Sequence, residues 1–193
     1  MDEMLRIAVF GDSLMKGTLP DEQLRYHFHT DLFEAPLAGL HAEVTNKSVF
    51  GATSRKGVTL VQRDLARGHR YDWALVEYGG NDCNYDWPDV AAHPEQDHDP
   101  VVLADEFRAN MTAIVQMLRE AGAAKVHIAI PTPMSNCRCA QYVLPAMPSL
   151  ADSMPPSKML DYFGADRLTY IPGQSFLEIA RPSGAVCTDC FEA

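Results

Sequence analysis

What most constrains this chain is the alternation of short apolar runs with longer stretches of helical period. Leu5-Arg6-Ile7-Ala8-Val9-Phe10, Ala42-Glu43-Val44-Thr45-Asn46, Trp73-Ala74-Leu75-Val76-Glu77-Tyr78 and Lys125-Val126-His127-Ile128-Ala129-Ile130 read as strands. Between the later runs the spacing predicts two helices. One runs from Gly57 to Arg67 and is capped at Gly68. The other runs from Val102 to Glu120, with Leu103, Phe107, Met111, Ile114 and Leu118 on one face and Gly122 at its end. Such alternation predicts parallel βαβ units in an α/β fold. A further helix is expected from Asp21 and Glu22 through Leu24, Phe28, Leu32 and Phe33, and a fifth strand at Leu168-Thr169-Tyr170-Ile171. The 193 residues suit a single domain, 1–193.

The first run ends in Gly11-Asp12-Ser13. A glycine at the carboxyl end of a buried strand lets the chain turn sharply, so the next side chains project where open α/β sheets place their ligands. Ser13 is therefore a candidate nucleophile, although Gly-Asp-Ser is also ordinary turn and N-cap chemistry. Val49-Phe50-Gly51-Ala52-Thr53-Ser54 and Glu77-Tyr78-Gly79-Gly80-Asn81-Asp82 repeat the arrangement after two later strands, with Gly51 and Asn81 at the matching places. Alone, Gly51 is a turn glycine and Asn81-Asp82 an Asx-turn or helix cap. Together, the three sites lie at the ends of successive strands, on one edge of a parallel sheet.

In order and content these three sites resemble the first three sequence blocks of the SGNH (GDSL-type) hydrolases, a family of serine esterases and lipases. The runs 46–51 and 78–87 look most like a bacterial branch of it. The resemblance implies a three-layer α/β/α fold around a mainly parallel, flavodoxin-like five-stranded sheet. It also implies an acyl-enzyme on Ser13 and an oxyanion hole built from the Ser13 N–H, the Gly51 N–H and the Asn81 side chain. The residue types suit those roles: glycine permits close backbone approach, and a carboxamide donates without a charge to desolvate. Each such donor is worth roughly 3 to 4 kcal/mol in the transition state.

The last block of that family, an aspartate followed three residues later by a histidine, is where this sequence departs. Cys187-Thr188-Asp189-Cys190-Phe191-Glu192-Ala193 is the best match, with Asp189 at the aspartate position and Glu192 where the histidine should stand. Three explanations compete. The sequence is truncated or altered at its end; or Glu192 serves as base, though a carboxylate with an ordinary pKa of about 4.3 is a poor acceptor for a serine proton; or His93 or His98, from the loop after Asn81, is recruited. The first is favoured.

Sixteen Lys and Arg against 26 Asp and Glu give a formal charge of −10, which repels phosphate backbones and argues against nucleic acid as a partner. The acidic start, Met1-Asp2-Glu3-Met4, lacks the pattern of a signal peptide, and no apolar run reaches the roughly 18 to 20 residues that span a bilayer. A cytoplasmic protein without membrane attachment is expected, with a small-molecule ester as substrate; the oligomeric state is not legible. The five cysteines, at 83, 137, 139, 187 and 190, are odd in number and suit reduced thiols better than a disulfide framework. The cysteine pairs lack the other features of a zinc site, and His93 and His98 with Asp97 and Asp99 resemble a loose metal cluster, although acidic loops of this kind are usually solvated linkers; no metal or cofactor is expected, and a metal at either place is the alternative. Three functions follow: a serine esterase acting on a small acyl ester such as an acetylated carbohydrate, a catalytically weak or silent relative that keeps the cradle, and a metal-dependent hydrolase.

Overall fold

The computed structural model describes residues 4–23, 25–29, 31, 39–86, 89, 92–93, 96–130, 134–135, 168–169 and 186–189. Along the chain, β1 (Leu5–Gly11) leads into a hairpin of β2 (Thr18–Pro20) and β3 (Tyr26–Phe28). Then come β4 (Ala42–Asn46), α1 (Ser54–Ala66), β5 (Trp73–Glu77), α2 (Ala104–Glu120) and β6 (Lys125–Ile130). The short β7 (Met134–Ser135) and β8 (Leu168–Thr169) precede β9 (Val186–Asp189). Five strands form one sheet in the order β4-β1-β5-β6-β9, and every pair in it is parallel. Counted along the chain, that order is the flavodoxin-like 2-1-3-4-5, whose direction reverses at β1. Ligands of such sheets collect at the carboxyl ends of the strands beside the reversal, and here those ends carry Gly11, Asn46 and Glu77.

The strand period sets the two faces of the sheet. Ala8 and Phe10, Ala74 and Val76, and Val126 and Ile128 point to one side and form a single core with α1 and α2. On α2, Phe107, Met111, Ile114 and Leu118 recur at helical spacing and are fully buried, each contributing roughly 1.5 to 3 kcal/mol by leaving water. On the other side, Ile7, Val9, Val44, Trp73, Leu75 and His127 line an apolar recess of about 220 Å³. His127 therefore has the packing position expected of a histidine inside a strand. Among the described residues no helix is long and apolar enough to cross a membrane.

The structure corrects three expectations. The helix anticipated from Asp21 is not formed where Tyr26–Phe28 lies, because β3 pairs antiparallel with β2, Thr18 opposite Phe28. The Asp21 carboxylate explains the change: it accepts the N–H groups of Gln23 and Arg25, both at 2.9 Å, and closes a hairpin loop. Aromatic residues then suit the strand that follows. Leu24, Leu32 and Phe33 lie outside the described residues. The second correction is the fifth strand of the sheet, which is Val186–Asp189; Leu168–Thr169 pairs with Met134–Ser135 in a separate two-stranded ribbon. Finally, α1 begins at Ser54, three residues before the expected Gly57. Its first turn is held by a side chain from a distant segment, a contact with no local sequence signal.

Candidate active site

The turn after β1 is fixed from several sides. A Cβ at Gly11 would stand 2.7 Å from Cβ of Met15 and 2.9 Å from the Glu77 carbonyl oxygen, so only glycine fits there. Backbone bonds from Lys16 N–H to the Asp12 carbonyl (3.1 Å) and from Thr18 N–H to the Ser13 carbonyl (3.0 Å) wind residues 12–18 into a tight coil. Asn46, at the end of β4, clamps it by donating to the Met15 carbonyl at 2.7 Å. Ser13 is half-buried on this coil, and neither its hydroxyl nor its N–H is hydrogen-bonded among the described residues.

The loop after β4 comes back to the same place. Val49 N–H donates to the Gly11 carbonyl at 3.0 Å, and Ala52 N–H donates to the Val49 carbonyl at 3.1 Å, closing a four-residue turn. Gly51 occupies its third position with φ of 69°, the left-handed conformation a type II turn requires there. Its N–H also has no acceptor among the described residues.

Asn81 joins the two turns. Its side-chain nitrogen donates to Asp12 Oδ2 at 2.9 Å and to the Ala52 carbonyl at 3.0 Å. One carboxamide thus touches the residue before Ser13 and the residue after Gly51. That brings together the three sites the sequence singled out, two of them with unclaimed N–H groups.

Three carboxyl groups are buried behind this cradle: Asp12 (2% exposed), Glu77 (3%) and Asp82 (0%). Asp12 accepts Leu14 N–H at 2.9 Å as well as the Asn81 amide; burial raises its pKa, and the Leu14 N–H, the Glu77 carboxyl and the Asn81 amide pull it back. Asp82 accepts both the N–H of Ser54 (2.9 Å) and its hydroxyl (2.5 Å), and so caps the N-terminus of α1 in place of a side chain from Thr53. Asn110 of α2 donates in turn to the Ser54 hydroxyl at 3.0 Å. Glu77 lies against Asp12 with no other hydrogen-bond partner among the described residues, and burial, followed by the charge of Asp12, pushes its pKa up to about 8. Sequence reasoning assigned Asp12 and Asp82 only turn and cap readings, which Asp12 on the Leu14 N–H and Asp82 at the start of α1 match, and assigned Glu77 and Ser54 no role. A signal for Glu77 was present: it is the acid that ends an otherwise apolar strand.

The sequence matches the GDSL-like lipase/acylhydrolase family over residues 9–166. The chain belongs to that family. It is a carboxylic ester hydrolase of the SGNH/GDSL type, and its substrate is a small-molecule ester. A search of the curated proteins returned no match. Among solved structures, a lipase/acylhydrolase from Enterococcus faecalis is similar, with a TM-score of 0.58 and 18% identity over 98% of this chain and 77% of that one. A variant of an acetyl xylan esterase from Geobacillus stearothermophilus gives a TM-score of 0.57 and 17% identity over 96% and 76%. An SGNH-hydrolase family esterase, AlinE4, gives 0.56 and 19% over 97% and 77%. At these identities the likeness is one of fold.

The match to the acylhydrolase family stops short of β9, where the remaining candidates begin. Asp189 closes β9 opposite Ile130, on the same edge of the sheet as Ser13. Three strand spacings, about 14 Å, separate β9 from β1. Glu192 lies outside the described residues, as do Cys137, Cys139 and Cys190. His98 has a mostly buried side chain whose Nδ1 is 3.1 Å from Asp89 and whose Nε2 is 2.9 Å from the His93 carbonyl, so both ring nitrogens are engaged inside their own loop. His93 is exposed. Neither imidazole bonds to the Ser13 hydroxyl. No group of three His, Cys, Asp or Glu is arranged to hold a metal ion among the described residues.

Beside the cradle the acylhydrolase exposes aromatic surface. The ring of Phe50, the residue before Gly51, packs on Tyr26 of β3 with centroids 5.3 Å apart, and both rings are about half exposed. The Lys16 ammonium lies 4.7 Å from the ring centroid of Phe28 on the same strand.

Proposed function

We propose that this chain cleaves a small acyl ester, an acetylated carbohydrate among them, through an acyl-enzyme on Ser13. The observation that carries the reading is the Asn81 carboxamide, which contacts the neighbours of both Ser13 and Gly51 while the N–H groups of those two residues stay unclaimed. In this reading the Ser13 oxygen attacks the acyl carbon, and the carbonyl oxygen becomes negative between the Ser13 N–H, the Gly51 N–H and an Asn81 hydrogen now turned toward Ala52. Collapse expels the alcohol, and water then hydrolyses the acyl-serine. Asp189 orients the proton acceptor across the strand ends, and the acceptor comes from the candidates Glu192, His93 and His98. The exposed Tyr26–Phe50 pair beside Gly51 supports a carbohydrate alcohol, because sugar rings stack their C–H faces on aromatic rings. The fold neighbour that is an acetyl xylan esterase points the same way.

A second reading, a catalytically weak relative, is favoured by Glu192 standing where the family has histidine. Triad deletions elsewhere retain a residual rate from the oxyanion hole and binding alone. Release of p-nitrophenol from its acetate, with and without Ser13→Ala, separates the two. Turnover that falls at least a thousandfold in the variant, together with fluorophosphonate labelling of Ser13 in the parent, supports the esterase. Equal rates in parent and variant and an unlabelled serine overturn it.

A further inference from the structure

Of the three carboxyl groups buried behind the cradle, two are held by donors from other residue types and the third is set against a second carboxyl group. Asp12 holds the Leu14 N–H and the Asn81 amide, and Asp82 holds Ser54. Glu77 sits across the ladder from Gly11, the residue before Asp12, and its buried side chain lies against the Asp12 carboxyl and N–H, with no other hydrogen-bond partner among the described residues. A buried carboxyl beside a second carboxylate is more favourable as the neutral acid, which donates its proton to the neighbour, whereas one that accepts several N–H bonds can stay ionised. The groups around Glu77 make this sharper. Asp12 faces it from the turn after β1, and Asp82 acts on it from the turn after β5. Tyr78, next on its own strand, has a buried hydroxyl without a hydrogen bond among the described residues. From β6 the same face carries His127, opposite Leu75 and two positions back from Glu77.

We infer that Glu77 is a positioning residue of the cradle: as the neutral acid it lies against Asp12 and keeps that carboxylate aimed at the Asn81 amide. Ionising it sets a second negative charge beside Asp12, displaces the acceptor of Asn81 and loosens the oxyanion donor. The inference rests on the proposed esterase reading for its effect on rate, but the state of the Glu77 proton is independent of that reading. Burial and the Asp12 charge, which hold Glu77 well above the usual carboxylate range at about 8, agree with the geometry.

Two measurements test it. In the first, kcat for p-nitrophenyl acetate is followed from about pH 6 to 9.5 in the parent and in Glu77→Gln, with Ser13→Ala as the blank. The parent is expected to lose roughly tenfold between pH 7 and 9, as one essential proton leaves, and the Gln variant less than about twofold. The second is carbon-13 NMR of the parent labelled at glutamate carboxyls, which needs neither turnover nor a variant that folds. One resonance titrating near pH 8, and missing from Glu77→Gln where that variant folds, is the expected result. An alkaline fall that persists in Glu77→Gln overturns the positioning role. Glutamate resonances that all titrate below about pH 6 overturn the protonated state. Failure of the esterase reading looks different: Ser13→Ala would then match the parent at every pH.

Discussion

The side-chain amide of Asn81 donates to Asp12 Oδ2 at 2.9 Å, linking the turn that follows β5 to the turn that carries Ser13. Since Asp12 has no free path to substrate and is 2% exposed, its contribution to rate runs through Asn81. Asn81→Ala is expected to lower kcat by about a hundredfold to a thousandfold, the usual range for one oxyanion donor, with little change in KM. Asp12→Ala should lower it less. The double variant should be no slower than Asn81→Ala, because residues acting as one unit are not additive. A double variant slower by the product of both effects would show that Asp12 acts on its own.

Gly11 and Gly51 flank the cradle and are required for different reasons, which unfolding in urea can separate. At Gly51 a Cβ meets nothing within 4 Å, so Gly51→Ala suffers only the left-handed backbone, about 1 to 2 kcal/mol. At Gly11 the new carbon would meet the Glu77 carbonyl at 2.9 Å, backbone that cannot rotate away. Gly11→Ala is therefore expected to lose more stability than Gly51→Ala, with unchanged m-values in both. The reverse order would contradict the packing described for β1 and β5.

Ser54 ties three elements, giving its N–H and hydroxyl to Asp82 and accepting the Asn110 amide. Ser54→Ala removes the hydroxyl and takes one donor from the buried Asp82 carboxylate, while Asn110 keeps its contact with Glu106. A lost donor of this kind costs about 1 to 3 kcal/mol, so a clear drop in the thermal midpoint is expected. Asn110→Ala leaves the Asp82 contact intact and should cost less. Equal midpoints for Ser54→Ala and the parent would show that the network contributes nothing.

Much of this was legible in the sequence, and the gaps have physical causes. The runs that became β1, β5 and β6 kept their order and, to within one residue, their length, because their core-facing residues Ala8, Phe10, Ala74, Val76, Val126 and Ile128 are buried and their other face is also largely apolar, which leaves a continuous apolar signature. Phe107, Met111, Ile114 and Leu118 gave α2 because a single buried face repeats at helical spacing. The stretch after Asp21 misled because Leu24 and Phe28 keep a helical spacing, while the Asp21 carboxylate closes a hairpin through contacts no periodicity records. Ser13, Gly51 and Asn81 could be picked out as residue types following strands. Of the buried acids behind them, Glu77 had a signal as the acid closing an apolar strand, whereas Asp12 and Asp82 look in sequence like ordinary turn carboxylates and are distinguished only by burial.

Cys83 illustrates what that burial does to a neighbouring group. Its sulfur donates to the Gly80 carbonyl at 3.4 Å, and burial first, with the Asp82 charge second, pushes the thiol pKa up to about 11. The reactive species is the thiolate, and at pH 8 a thiol with that pKa is ionised in roughly one molecule per thousand, against about one in four for an exposed cysteine. Alkylation by iodoacetamide at pH 8, read by mass spectrometry of the peptide holding Cys83, is expected to be at least a hundredfold slower in the folded protein than in urea. The rate should climb about tenfold per pH unit until the pH nears 11. Asp82→Asn, which takes away the nearby negative charge, should lower the pKa and speed the reaction at every pH below that point. A folded-state rate equal to the rate in urea would mean that Cys83 is open to water and that the turn behind Asn81 is not packed as described.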